Sequence, residues 1–460
     1  MVAAALLLMS ASAYSQSSGS AYFLEGYSQR YQLNPAFAPD RSTYIAFPIL
    51  SNIQVDAKGS VGLSHFMFNS TSHPGMLTTF MSSDVDAKSF LNALPDAAQF
   101  NIGLNMDLLS FGFGNENGFT TINFKLRNAE TVSIPKDLFG FMKASMSQGN
   151  YLIKDINVNT NTYAEFSVTR SQKITDNLTI GVGLKLLEGL AYADLNIDEI
   201  DARISEDEWK VKTNGTMRAS VPGAKFKTKP VEGTDKEQFD GFDGFSFSAP
   251  VNLGFAVDLG VEYDFKGLVD GLKASAAVTD LGFINWSNVY DYATDNSEYV
   301  TFTGFNNYDV TSDNGSDDTM DKMKEDFKDM IRLYAKTSGG KENVMLNATL
   351  RAGVEYQTPF AEWLSFGELL TYRTGVYSYK ESRTSMTLSP CKWFDLSGNV
   401  ALTSMGNAMG VLLNLHPNGM NFFIAVDHLK AKLNPQMIPL EDFGVNFNLG
   451  LSFVFGDKRN

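Results

Sequence analysis

Apolar and polar residues alternate with period two over long stretches of this chain. Between residues 443 and 455 one face carries Phe443, Val445, Phe447, Leu449, Leu451, Phe453 and Phe455, and the other carries Gly444, Asn446, Asn448, Gly450, Ser452 and Val454. Neighbouring side chains of a strand point to opposite faces, so such a run is a ribbon with one greasy side. The pattern recurs at 100–108, 178–186, 251–263 and 344–356. These runs exceed the usual globular strand of about 5–6 residues and match the roughly 9–11 needed to cross a bilayer. Within each run the charges fall on one face. A cation on the lipid face at midplane costs about 2–4 kcal/mol. Lys185, Asp258, Glu262, Arg351 and Glu355 are therefore expected to face the lumen of a barrel, with Asp395 and Asp427 beside them.

The pattern predicts strands near 53–64, 98–113, 118–128, 160–171, 178–198, 247–264, 273–285, 343–357, 364–378, 383–389, 394–405, 409–415, 420–428 and 442–455. Short links at 114–117, 172–177, 265–272, 358–363, 390–393 and 416–419 alternate with long ones at 65–97, 129–159, 199–246 and 286–342. Only 379–382 and 406–408 are short where long is allowed. That alternation is the habit of outer-membrane barrels and leaves the C-terminus in the periplasm. The expected fold is all-β: a transmembrane antiparallel up-and-down barrel of about fourteen strands over residues 51–456, with long extracellular loops. Aromatics near strand ends, among them Tyr263, Trp286, Tyr356, Trp363 and Trp393, suit interfacial girdles. A soluble sandwich also alternates, but with shorter strands and a polar outward face. In the longest link Met320, Met323, Phe327 and Met330, followed by Tyr334, recur at helical spacing. Asp318 and Asp321 stand at the start of this run and Lys336 after it, which predicts an amphipathic loop helix near 318–336. A Met-rich face suits an apolar ligand or partner as well as packing. Residues 134–146 read as a second, shorter helix.

Composition narrows the function classes. Charged residues are 19% of the 460, below the roughly 25% of soluble domains. A formal net charge of -15 argues against nucleic acid as a partner. The apolar run 2–9 and the small residues after it read as a secretory leader over residues 1–15, cleaved before Gln16. The basic n-region is missing, so the start codon is expected upstream. After the leader no stretch of eighteen apolar residues appears, which excludes spanning helices and leaves an exported chain that is soluble, surface-bound or a barrel. The long alternating strands favour the barrel, in the outer membrane of a Gram-negative bacterium and in contact with its lipid. Cys391 is the only cysteine, so no disulfide or Cys-based metal site is expected. Of the four histidines, His65, His73, His416 and His428, none has zinc-hydrolase spacing. Asp427 and His428 are neighbours on a strand and so point apart. The acidic run 313–318 lacks the closing Glu of an EF-hand. No catalytic residue, metal or cofactor is expected.

Before the first strand stands Tyr31-Gln32-Leu33-Asn34-Pro35-Ala36-Phe37-Ala38-Pro39. An Asn-Pro-Ala element in this place resembles the N-terminal hatch of the FadL-like long-chain fatty-acid transporter family. It also resembles the PorV-like relatives associated with type IX secretion. Asp280-Leu281-Gly282-Phe283 at a strand end, the chain length and the strand count fit the same group. The resemblance implies that residues 16–50, with Asn34, Pro35 and Ala36, fold inward and plug the barrel. Asn and Pro also favour a tight turn on their own account. It implies transport of a hydrophobic or amphipathic small molecule. The alternative it implies is a PorV-like barrel that holds a secreted or surface protein. None of the transporters' ligand-binding positions has a counterpart close enough to carry over.

Overall fold

The computed structural model describes residues 19–39, 41–46, 51–73, 75–144, 148–205, 208–231, 235–245, 251–297, 299–302, 331–375, 378–430 and 441–458. Fourteen antiparallel strands close into a ring. In chain order they are β1 (Arg41–Ala46 and Ile53–Gly59), β2 (Ala97–Asn115), β3 (Gly118–Pro135), β4 (Gly149–Lys173), β5 (Leu178–Ile204), β6 (Leu253–Asp264) and β7 (Leu272–Thr294). The ring continues with β8 (Thr349–Gln357), β9 (Leu364–Arg373), β10 (Tyr379–Cys391), β11 (Phe394–Thr403), β12 (Gly406–Leu415), β13 (Asn421–Lys430) and β14 (Phe443–Lys458). Each strand pairs with the next, and β14 pairs back onto both parts of β1, with Thr43 opposite Phe455 and Val55 opposite Phe447. Closure leaves the ring no edge, as a backbone in hydrocarbon requires. The wall begins earlier than the pattern predicts. Arg41–Ala46 pairs with β2 and β14 and so belongs to the ring rather than to the segment before it.

Burial runs inside out. On β5, Ile180, Val182, Leu184 and Leu186 are 39%, 41%, 52% and 54% exposed, while Gly181, Gly183 and Lys185 between them are buried. On β6, Leu253, Phe255, Leu259 and Val261 face out and Ala256 and Asp258 face in. Asn446, Asn448 and Ser452 of β14 are buried. An outward apolar surface on every side is tolerable only against lipid, so the ring is a transmembrane barrel.

Several strands overshoot the membrane. β4 and β5 have 25 and 27 residues, roughly 80–90 Å of chain. Their outer ends carry a sheet where the pattern predicts unstructured links. Trp209–Ser220 pairs with β5, and Leu333–Met345 pairs with the outer half of β7. Ala224–Pro230 and Glu237–Phe245 form a hairpin beside it. The predicted helix 318–336 is corrected at its end: Tyr334 and Lys336 lie on a strand. β8 covers β7 only as far as Thr279, and the bare edge beyond takes residues 333–345 as its partner. Met320, Met323, Phe327 and Met330 lie outside the described residues. The link after β1 folds as the small hairpin Met67–Asn69 with Leu77–Thr79 and the helix α1 (Ala87–Ala93), around Phe66, Phe80 and Phe90. The shorter predicted helix is α2 (Lys136–Ala144), which buries Phe139 and Phe141.

Candidate functional site: the occupied lumen

Residues 19–37 cross the lumen between the inward faces of opposite strands. Two short helical turns, Gly19–Ala21 and Arg30–Gln32, give the segment a compact path. Tyr22, Phe23, Leu24, Leu33 and Phe37 are buried, and pack with Leu369, Leu412 and Phe423 of β9, β12 and β13. A second apolar cluster packs Tyr31 of the segment with Tyr44, Phe119 and Val454 of the wall. The polar side chains of the segment reach the wall all round. Ser28 Oγ donates to Asn421 Oδ1 (3.0 Å), Gln32 Nε2 to Asp107 Oδ2 (2.7 Å), and Tyr31 and Ser110 share a hydroxyl bond of 3.0 Å.

Asn34 shows why its residue type is needed. Its Oδ1 accepts from Ala36 N (2.9 Å) and closes the turn at Pro35. Its Nδ2 donates to the carbonyls of Val261 (3.2 Å) and Ala276 (3.4 Å), which face each other across β6 and β7. Gly181 and Gly260 make the room. A Cβ on Gly181 would lie 2.0 Å from the Pro35 carbonyl carbon, and one on Gly260 would lie 2.0 Å from Asn34 Oδ1. The backbone of Asn34-Pro35-Ala36 therefore rests directly on two cross-strand glycines.

Two buried charge networks flank the segment. In the first, Arg127 of β3 binds both oxygens of Asp280 (Nη1 to Oδ1 2.6 Å, Nη2 to Oδ2 3.1 Å) and also Glu165 of β4 (3.0 Å). Lys185 Nζ lies 2.7 Å from both Asp258 and Asp280. The other oxygen of Asp258 accepts from the Asp280 N–H (2.7 Å). In the second network Arg383 Nε donates to Glu381 (2.7 Å) and Nη1 to Asp427 (3.1 Å). Glu381 also holds His428 Nε2 at 3.0 Å and accepts from Tyr379 (2.6 Å). Ser20 donates its hydroxyl to Asp427, which ties the start of the lumen segment to this network.

The second network corrects one expectation. Asp427 and His428, neighbours expected to point apart, both reach Arg383 (3.1 Å each). A register shift interrupts β13 after Asp427, and His428 takes a φ of 56°. The bulge turns the second side chain inward.

The other predicted lumen residues are placed as follows. Lys185 and Asp258 lie in the first network. Arg351 donates to Thr279 Oγ1 (3.2 Å) and to the Leu33 carbonyl (3.4 Å). Glu262 and Glu355 are partly buried on inward faces, in the fields of Glu25, Arg30 and Lys273; Lys273 pairs with Glu25. Reading from sequence misses Arg127, Glu165, Glu381 and Arg383 as a set. The signal available was their place on the polar face of alternating strands, which identifies a face but no partner.

Above the segment a small polar cavity of about 60 Å³ lies between the networks, lined by Gln32, Asn105, Arg351 and Arg373. On the long-loop side it shares Asn105, Arg127 and Arg373 with a vestibule of about 630 Å³, lined by Asn157, Asn159, Asn161, Tyr163, Tyr192 and Asn343 among others.

No curated protein matches the sequence. The solved structures similar to it include the Pseudomonas putida toluene transporter TodX, at 10% identity over 97% of this chain and 96% of that one, with a TM-score of 0.43. The Ralstonia pickettii toluene transporter TbuX aligns at 8% identity over 97% and 100%, TM-score 0.41. A Pseudomonas aeruginosa FadL homologue aligns at 9% identity over 98% and 100%, TM-score 0.31. A family model matches residues 35–427, from the Pro35 turn through Asp427, and the chain accordingly belongs to the family of unknown function DUF5723.

Proposed function

We propose that this protein is a non-enzymatic channel of a Gram-negative outer membrane, closed at rest by residues 19–37, which act as its hatch. Its cargo is a small amphipathic molecule that enters from the long-loop side. The observation that carries this reading is the position of the N-terminal segment. It fills the lumen below a vestibule of about 630 Å³ and is joined to the wall by two apolar clusters and by side-chain hydrogen bonds. Bonds of this kind contribute about 0.5–1.5 kcal/mol each and exchange readily for bonds to water or ligand. Paired charges of both signs line the passage, so neither anions nor cations are favoured as such.

The glycine cradle supplies the test. Gly181→Leu puts a side chain where the Pro35 backbone lies. The barrel wall has no need of a glycine there, so the expected result is a folded barrel with a displaced hatch. In liposome-swelling assays this variant and a deletion of residues 16–39 should both admit small solutes faster than the intact protein. Equal permeability of all three would overturn the channel reading.

A further inference from the structure

Carboxamides are the commonest side chains of the vestibule wall, which also carries charged residues, among them Asp56, Lys58, Asp194 and Glu342. On β4 the inward residues 157, 159 and 161 are all Asn, followed by Tyr163. Opposite them on β5 stand Asn196, Asp194 and Tyr192, in register with Asn157, Asn159 and Asn161. Asn101 of β2 and Asn343 of the outer sheet line the same space. The Asp194 carboxylate accepts one N–H from Asn159 (3.1 Å) and one from Asn196 (2.6 Å), which orients both amides. Asn161 is 91% buried, lines the cavity, and its Oδ1 has no hydrogen-bond partner among the described residues. An orphaned buried acceptor costs about 1–3 kcal/mol unless something answers it.

The lining selects a ligand class. An amide offers a donor and an acceptor from one neutral group, which matches a hydroxyl, itself both donor and acceptor. An apolar ligand here would strip the amides of water and return no bond. A charged ligand gains little, because Arg127 is already held by Asp280 and Glu165 and Lys58 by Asp56, and Asp194 and Glu342 stand in the same wall. Tyr163 and Tyr192 close the foot of the rows; both are buried, and Tyr192 is stacked on Trp286 at 5.4 Å. A volume of about 630 Å³ is within the range of small-molecule sites.

We infer that the vestibule binds an uncharged pyranoside, either free or as the headgroup of a glycolipid, through the amide rows of β4 and β5. The inference rests on the channel reading and names the polar part of its cargo. The test is calorimetric titration of the full-length protein in lipid nanodiscs, with empty nanodiscs as reference. Three probes are used: maltose, octyl β-D-glucopyranoside and tetraoxyethylene monooctyl ether, the detergents below their micellar concentrations.

Expected is binding that requires the sugar ring and weakens about tenfold or more in Asn161→Leu, equivalent to the loss of about 1.4 kcal/mol. Asn157→Leu, on the same face, serves if Asn161→Leu fails to show heat-modifiable migration. Binding of maltose identifies a free saccharide. Binding of the glucoside alone identifies a lipid-linked headgroup, and either result supports the inference. Equal binding of glucoside and ether, binding of no sugar, or sugar binding unaffected by the variants would overturn it. The permeability of Gly181→Leu is read separately, so the channel reading stands or falls without the sugar.

Discussion

Asp280 is where side-chain charge and backbone shape meet. Its φ of 62° is in the left-handed region, which Asp and Asn tolerate better than other non-glycine residues. There β7 passes from β8 to the outer sheet, and the Asp258 carboxylate caps the Asp280 N–H at the turn. Three charge-assisted bonds from Arg127 and Lys185 end on its carboxylate. Asp280→Asn keeps the size and tolerates the φ, but leaves two buried cations short of an anion. Breaking one side of a buried ion network typically costs about 3–5 kcal/mol. Denaturant titration of the barrel refolded in lipid should show a loss of that order. A midpoint unchanged in Asp280→Asn would mean that water or a second carboxylate takes over the role.

Among the elements, the turn at 70–72 in the link between β1 and β2 is tied by one carboxylate. Asp84 Oδ2 accepts from Ser70 Oγ (2.7 Å), Thr71 N (3.0 Å), Ser72 N (3.2 Å) and Ser72 Oγ (2.8 Å). The bond from Ser70, then those from Ser72, hold its pKa well below the usual carboxylate range. A depressed folded pKa contributes stability that is present above the unfolded value of about 3.9 and is lost as the pH falls through the folded value. The amides of Thr71 and Ser72 should therefore stay protected from hydrogen exchange at pH 4, after correction for intrinsic rates. They should lose protection only in stronger acid. In Asp84→Ala they should exchange freely at pH 7; protection equal to wild type there would remove Asp84 from the account.

At the scale of the whole molecule, stability depends on which side of the wall meets lipid. Leu184 is half exposed and lies six residues beyond the short turn before β5. With the usual strand tilt that is roughly 15 Å into the membrane, near its middle. Leu184→Arg should cost about 2–4 kcal/mol of folding free energy in bilayers. The cation Lys185, one residue on, is native because it faces the other way. If Leu184→Arg folds into vesicles with an unchanged urea midpoint, the outer surface of β5 is not in hydrocarbon.

Much of this was legible in the residues alone. Period-two alternation fixed which side of each ribbon is greasy, because strand geometry leaves a side chain only two directions. The ring of fourteen followed from the count of such ribbons and the rhythm of short and long links. Asn34-Pro35 announced a tight turn through the local chemistry of its own side chain and ring. Other features needed the folded chain. Alternation says that Lys185 and Asp258 face inward, but not that Arg127 and Asp280, 153 positions apart, meet beside them at 2.6 Å. The bulge that brings Asp427 and His428 to one arginine leaves no mark in a periodic pattern. The start of the strand Leu333–Met345, read from sequence as the end of a helix reaching 336, was decided by the open edge of β7. A backbone donor without a partner outweighs the modest propensity of a few residues for helix.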